Sequence, residues 1–77
     1  MKKNSIPQYI TDIIEFKYFP SGKDTDVYSY VNPNFAVVVE FAIFLWIVIY
    51  IKDSEPLFHK SFESLRDWLN SNIDLIA

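Results

Sequence analysis

His59 is the one histidine of this chain, and Ser61 and Glu63 follow it within four residues. An imidazole that takes a proton from a hydroxyl, with a carboxylate to orient the ring, is the minimum for nucleophilic catalysis. The residue types are present, but closeness in sequence does not supply the geometry. The simpler expectation is a surface residue just before a helix. A metal site at His59 would need further ligands converging on it, and no His/Asp/Glu cluster of metal spacing occurs.

Asp24 and Asp26 alternate as in a calcium loop, yet the glycine and distal glutamate of such a loop are missing, so they read as a solvated turn. Glu40 is more pointed. It is the only polar side chain in FAVVVEFAIFLWIVIYI, residues 35–51. A carboxylate buried among valines would have a raised pKa, one signature of a working acid or base. An edge position facing water, or a partner such as Lys17 or Arg66, explains it without catalysis. With no cysteine, disulfides, thiolate zinc sites and cysteine nucleophiles are excluded together. Gly22 is the only glycine, so a phosphate-cradling loop is excluded as well. No catalytic residue, metal or cofactor is predicted.

These side chains need elements to hold them. SIPQYITDIIEFKYF, residues 5–19, sets Ile6, Ile10, Ile13 and Ile14 at helical spacing and turns Asp12 and Glu15 away. Ser5 and Gln8 have capping-box spacing, and Pro7 falls in the first turn, where its missing N–H costs little. A helix over about 5–17 is predicted. PSGKDTD, residues 20–26, is loop chemistry.

VYSYV then places Tyr28 and Tyr30 on one face of a strand at 26–32, and Asn32-Pro33-Asn34 turns the chain back. Ser61 is a good N-cap, with Glu63 in the first turn. Phe62, Leu65, Trp68 and Leu69 share one face, so a helix over 62–71 is predicted, with an extension toward Ile76 open.

The apolar run at 35–51 decides the class. A membrane helix needs about 20 apolar residues. This run has seventeen and includes a carboxylate. Its β-branched residues, Val37, Val38, Val39, Ile43, Ile47, Val48, Ile49 and Ile51, favour strands. A single strand of that length would reach about 56 Å, too long for a domain about 30 Å across. The run must bend or split, and Glu40-Phe41-Ala42 is the expected break, giving strands at 35–42 and 44–52.

The predicted fold is therefore α+β: a single domain over 1–77, a helix, a three-stranded antiparallel sheet and a helix. The alternative is a single transmembrane helix at 35–51. This element order is similar to that of double-stranded RNA-binding domains, a resemblance of topology that implies no activity, because the basic residues of such a domain are absent.

Both faces of the strand from Phe44 to Ile51 are apolar, and such a strand needs cover on both sides. Two short helices cover one face. The other is expected to bury against another chain, with Tyr28, Tyr30, Trp46 and Tyr50 as its anchors, since Tyr and Trp are usual interface residues. A packed monomer core is the alternative use of those rings.

Composition agrees. The chain has 77 residues, of which 51% are apolar and 18% aromatic, more than so short a chain can hide in its own interior. Its net charge of −3, with scattered basic residues, disfavours direct nucleic-acid binding. Lys2 and Lys3 open the chain, but no apolar segment follows to make a secretory signal, so a cytoplasmic location is expected.

The predicted function is a non-catalytic protein-binding module acting by steric blockade. Residue usage and size favour a phage or mobile-element inhibitor of a host defence or nucleic-acid enzyme, with an antitoxin or immunity protein as the alternative. A homodimer partner and a single-pass membrane protein are the other possibilities.

Overall fold

Residues 35–51 form two strands joined by a turn, which resolves the length problem posed by the run. The computed structural model describes residues 5–22 and 24–76; Lys2 and Lys3 lie outside the described residues. Helix α1 (Gln8–Thr11) leads into β1 (Lys17–Pro20), β2 (Asp26–Val31), β3 (Phe35–Phe41), β4 (Leu45–Ile51) and β5 (Leu57–His59). Helix α2 (Phe62–Ser71) and a 3-10 turn (Ile73–Leu75) follow. The five strands form one antiparallel meander in sequence order.

Three strands were expected and, among the described residues, there are five. The central three match the expected segments closely, and β1 and β5 are additions at the two edges. The membrane-helix alternative for 35–51 does not hold, because β3 and β4 occupy that segment. Among the described residues, no helix is long and apolar enough to cross a membrane.

The turn between β3 and β4 is Ala42-Ile43-Phe44, closed by an Ala42 N–H that donates to the Phe44 carbonyl at 3.2 Å. It overlaps the expected break, Glu40-Phe41-Ala42, at Ala42. The turn between β2 and β3 is Asn32-Pro33-Asn34, as its residue types predict. There the Asn32 side-chain oxygen accepts from the N–H groups of Asn34 and Phe35, at 2.7 and 2.9 Å. The amide groups of Asn32 and Asn34 both donate to the Leu75 carbonyl, at 3.2 and 3.0 Å, and so pin the C-terminal 3-10 turn to this hairpin.

Helix α1 is shorter than the expected 5–17. Pro7, not Ser5, stands at its N-cap, and no side-chain bond caps it. Bonds from the N–H groups of Ile13 and Ile14 to the Ile10 carbonyl carry the winding a few residues further. That is enough to bury Ile10 and Ile14, one turn apart. The chain then straightens because Lys17 to Pro20 pair with β2, where the Tyr18 and Tyr28 rings meet at 5.0 Å.

Helix α2 is as expected. Ser61 is extended, and its side chain accepts from Ser64 N–H at 3.1 Å. Leu65 and Leu69, both fully buried, face the sheet, and Trp68 meets Phe35 edge-on at 5.0 Å.

Alternation along the strands assigns the faces. Phe35, Val37 and Val39 of β3, with Ile47 and Ile49 of β4, form one buried cluster with Ile10, Ile14, Leu65 and Leu69. Both helices therefore lie on this face of the sheet. No described element covers the other.

Candidate binding face of the sheet

Residues registered across the sheet share a face. On the open side, Phe19, Val27, Glu40 and Trp46 form one row across β1 to β4. Lys17, Ser29, Val38, Val48 and Phe58 form the next, and Val31, Ala36 and Tyr50 the third. The apolar members of this face are unusually wet: Trp46 and Tyr50 are 50% exposed and Phe58 is 68% exposed. Val48 is buried, in register between Val38 and Phe58. At the adjoining hairpin tip, Ile43 is 91% exposed, in a turn with no Gly, Pro or Asn to favour it.

The four rings expected on one binding face are divided between two. Tyr28 and Tyr30 are registered with Val39 and Val37, so they sit on the helix-covered side and pack against the core. Trp46 and Tyr50 are registered with Glu40 and Ala36 and lie on the open side. The correction follows from pairing. Alternation shows which residues of one strand share a side, but only register shows which side of a neighbouring strand they join. Phe19 and Phe58 belong to the open face and were missed, because they lie in the edge strands β1 and β5 that the sequence signal did not reveal; Val31, on β2, joins this face because Tyr28 and Tyr30 take the other.

Glu40 lies on the central strand rather than at an edge strand, in the row next to the Ala42–Phe44 turn. It is half-buried between Val27 and Trp46 in register. Neither expected partner reaches it: among the described residues it has no ion pair or side-chain hydrogen bond, and Arg66 pairs weakly with Asp67 at 3.4 Å instead. Lys60, directly after β5, lines a groove of about 460 Å³ together with Phe44, Trp46 and Phe58. A second groove of about 470 Å³ runs beside β1, lined by Glu15, Lys17, Phe19 and Val31.

The edges of the sheet are blunt. β1 ends in Pro20, and β5 is three residues long, between Pro56 and the helix cap Ser61. Short strands and proline discourage pairing with an added strand. The open face, not an edge, is the broad surface that no described element covers.

The groups considered for chemistry are arranged differently from the sequence expectation. His59 is not a surface residue. It is half-buried on β5, and its Nδ1 and Ser64 Oγ are 2.6 Å apart, tying β5 to α2. Its Nε2 is buried with no hydrogen-bond partner among the described residues, and burial lowers the pKa of the ring. A general base must reach the proton that it takes. Here one nitrogen is engaged by Ser64 and the other is closed off. Neither Ser61 nor Glu63 joins this pair: Ser61 caps α2.

Asp26 is in β2 and accepts a 2.7 Å hydrogen bond from the Tyr18 hydroxyl, which raises the pKa of that phenol. No three His, Asp or Glu side chains converge among the described residues. Comparison with known proteins finds no match to a protein family, a curated protein or a solved structure.

Proposed function

We propose that this protein is a non-catalytic protein-binding module that docks through the open face of its sheet. The observation that carries this reading is the set of half-exposed and largely exposed rings, Trp46, Tyr50 and Phe58, side by side on a face that no described element covers. Monomeric proteins seldom leave contiguous apolar patches larger than about 300–600 Å² in water. The five strands have 4, 6, 7, 7 and 3 residues, so at about 3.3 Å per residue and 4.8 Å per strand the flat footprint is roughly 430 Å² before side-chain relief is counted.

Trp and Tyr near the centre of such a patch supply large contact area at small conformational cost, which is why they are common anchors. The module acts by covering what it binds. Steric blockade of a host enzyme by a phage or mobile-element protein remains the use that chain size and residue usage favour.

The test is affinity. The tagged chain is used to recover its bound protein, and the dissociation constant is measured for the wild type and for Trp46→Ala. Truncating a central anchor costs about 2 kcal/mol or more, roughly 30-fold in affinity. A folded Trp46→Ala variant that binds as tightly as the wild type overturns the assignment of this face.

A further inference from the structure

Resting on that reading, we infer that the partner fitted to the open face is a second copy of this chain, stacked sheet on sheet about a two-fold axis that runs along β4. The charges on the face select this arrangement. Two copies packed face to face are related by a two-fold axis lying between the sheets. Each strand then faces the strand of its partner that lies equally far on the other side of that axis.

Three placements are worth comparing. An axis over β3 overlaps the most strands, but it sets Glu40 of each copy against its own mate, and burying like charges together opposes association. An axis over β2 sets Glu40 on β3 against Phe19 on β1, with no cation for the carboxylate, and leaves Trp46, Tyr50 and Phe58 outside the overlap. An axis over β4 satisfies both requirements. Glu40 is the registered neighbour of Trp46 on β3, about 4.8 Å away across the sheet, and Lys60 directly follows β5 on the other side, where it lines the groove with Trp46 and Phe58. The rotation brings Glu40 opposite Lys60 of the partner subunit, twice over. Trp46, Val48 and Tyr50 meet along the axis, and Phe58 lies over Val38 of the partner subunit.

The area agrees with a modest dimer. An aromatic side chain presents about 150–250 Å², so three that are half or more exposed contribute on the order of 300 Å² per copy. Glu40, Lys60, Val38 and Ala36 bring this to roughly 500 Å² per copy. The total is near the 1,000 Å² or so that a specific interface needs. A weak dimer, concentration-dependent in the micromolar range, is the expected result. The aligned packing angle of about 30° between twisted sheets is compatible with such an axis.

The experiment is sedimentation velocity on the full chain, from low micromolar to several hundred micromolar. The wild type should show a monomer–dimer equilibrium. Glu40→Lys and Lys60→Glu should each weaken it about tenfold or more, because each sets like charges opposite one another. An equimolar mixture of the two variants restores both pairs and should dimerise about as well as the wild type. The double reversal Glu40→Lys/Lys60→Glu should do so as well. Circular dichroism checks folding. If reversal at Glu40 disturbs β3, Glu40→Gln reads the same pair by weakening the dimer without rescue by Lys60→Glu.

A wild type that stays monomeric overturns the inference, as does a mixture of folded variants that fails to dimerise. Monomer that instead floats with phosphatidylcholine–phosphatidylglycerol vesicles also overturns it, in favour of lipid. A monomeric chain that still makes a Trp46-dependent complex with a different protein sinks this inference and leaves the binding-face reading standing.

Discussion

Val38 and Val39 are neighbours on β3 and face opposite ways, so replacing each by threonine tests the assignment of faces with almost no change in shape. Val39 is fully buried among core residues on the helix-covered side. β3 is paired on both sides, so its backbone groups are already engaged in the ladder. A hydroxyl at position 39 therefore finds no free partner there. Losing one buried methyl costs about 0.8 kcal/mol, and an unpaired buried hydroxyl adds roughly 1–3 kcal/mol.

Val38 lies on the open face, partly exposed, directly across from Ser29. A threonine hydroxyl there reaches water or Ser29, and the change should stay within about 0.5 kcal/mol. A domain of 77 residues has roughly 4–12 kcal/mol of stability in all, so the first cost is a large share of the total. Urea unfolding at low protein concentration measures both. With a slope near 1 kcal/mol per molar, Val39→Thr should lower the midpoint by about 2–4 M and Val38→Thr by less than about 0.5 M. Equal shifts, or a larger one at Val38, would mean that the helices cover the other face, and the binding-face reading would fall with it.

The remaining predictions concern the ties around α2. Ser61→Ala removes the side-chain acceptor for Ser64 N–H and should cost about 1 kcal/mol in the same unfolding assay. Burial holds the His59 pKa below its ordinary value of 6.5, so in mildly acidic solution the unfolded chain binds more protons than the native one. Stability should be fully present above about pH 6.5, fall as pH drops toward the native-state pKa, and level off below it. The urea midpoint compared at pH 7.5 and pH 5 reads this, and His59→Gln should remove that part of the difference. An unchanged difference in the variant would place the titrating group elsewhere.

Much of the fold is legible in local chemistry. Ser61 and Glu63 mark the start of α2, Asn32-Pro33-Asn34 marks a hairpin, and the β-branched run between residues 35 and 51 marks strand. Each is a short-range effect, a cap, a turn or a χ1 preference, that acts within a few residues. The apolar character of both sides of β4 was visible too, and so was its consequence that one side lacks cover from this chain.

What escaped local reading was set by pairing. β1 and β5 are three or four residues long, too short for a periodic signal, and exist because β2 and β4 offer them a ladder. α1 stops early because β2 recruits the residues that follow it. The break in the apolar run falls at Ala42–Phe44, where no turn-favouring residue marks it, because the register between β3 and β4 puts it there. His59 and Ser64 meet because β5 docks beside α2.

The division of the four rings shows the point most directly. Tyr28 and Tyr30 alternate correctly along β2, and Trp46 and Tyr50 along β4. A strand of period two carries no record of which side of its neighbour it will match, and a slip of one residue would exchange the faces. Sequence alone determined that this chain makes a two-sided apolar sheet with too little helix to cover it. Tertiary pairing decided which rings are core and which are left facing outward beside Glu40.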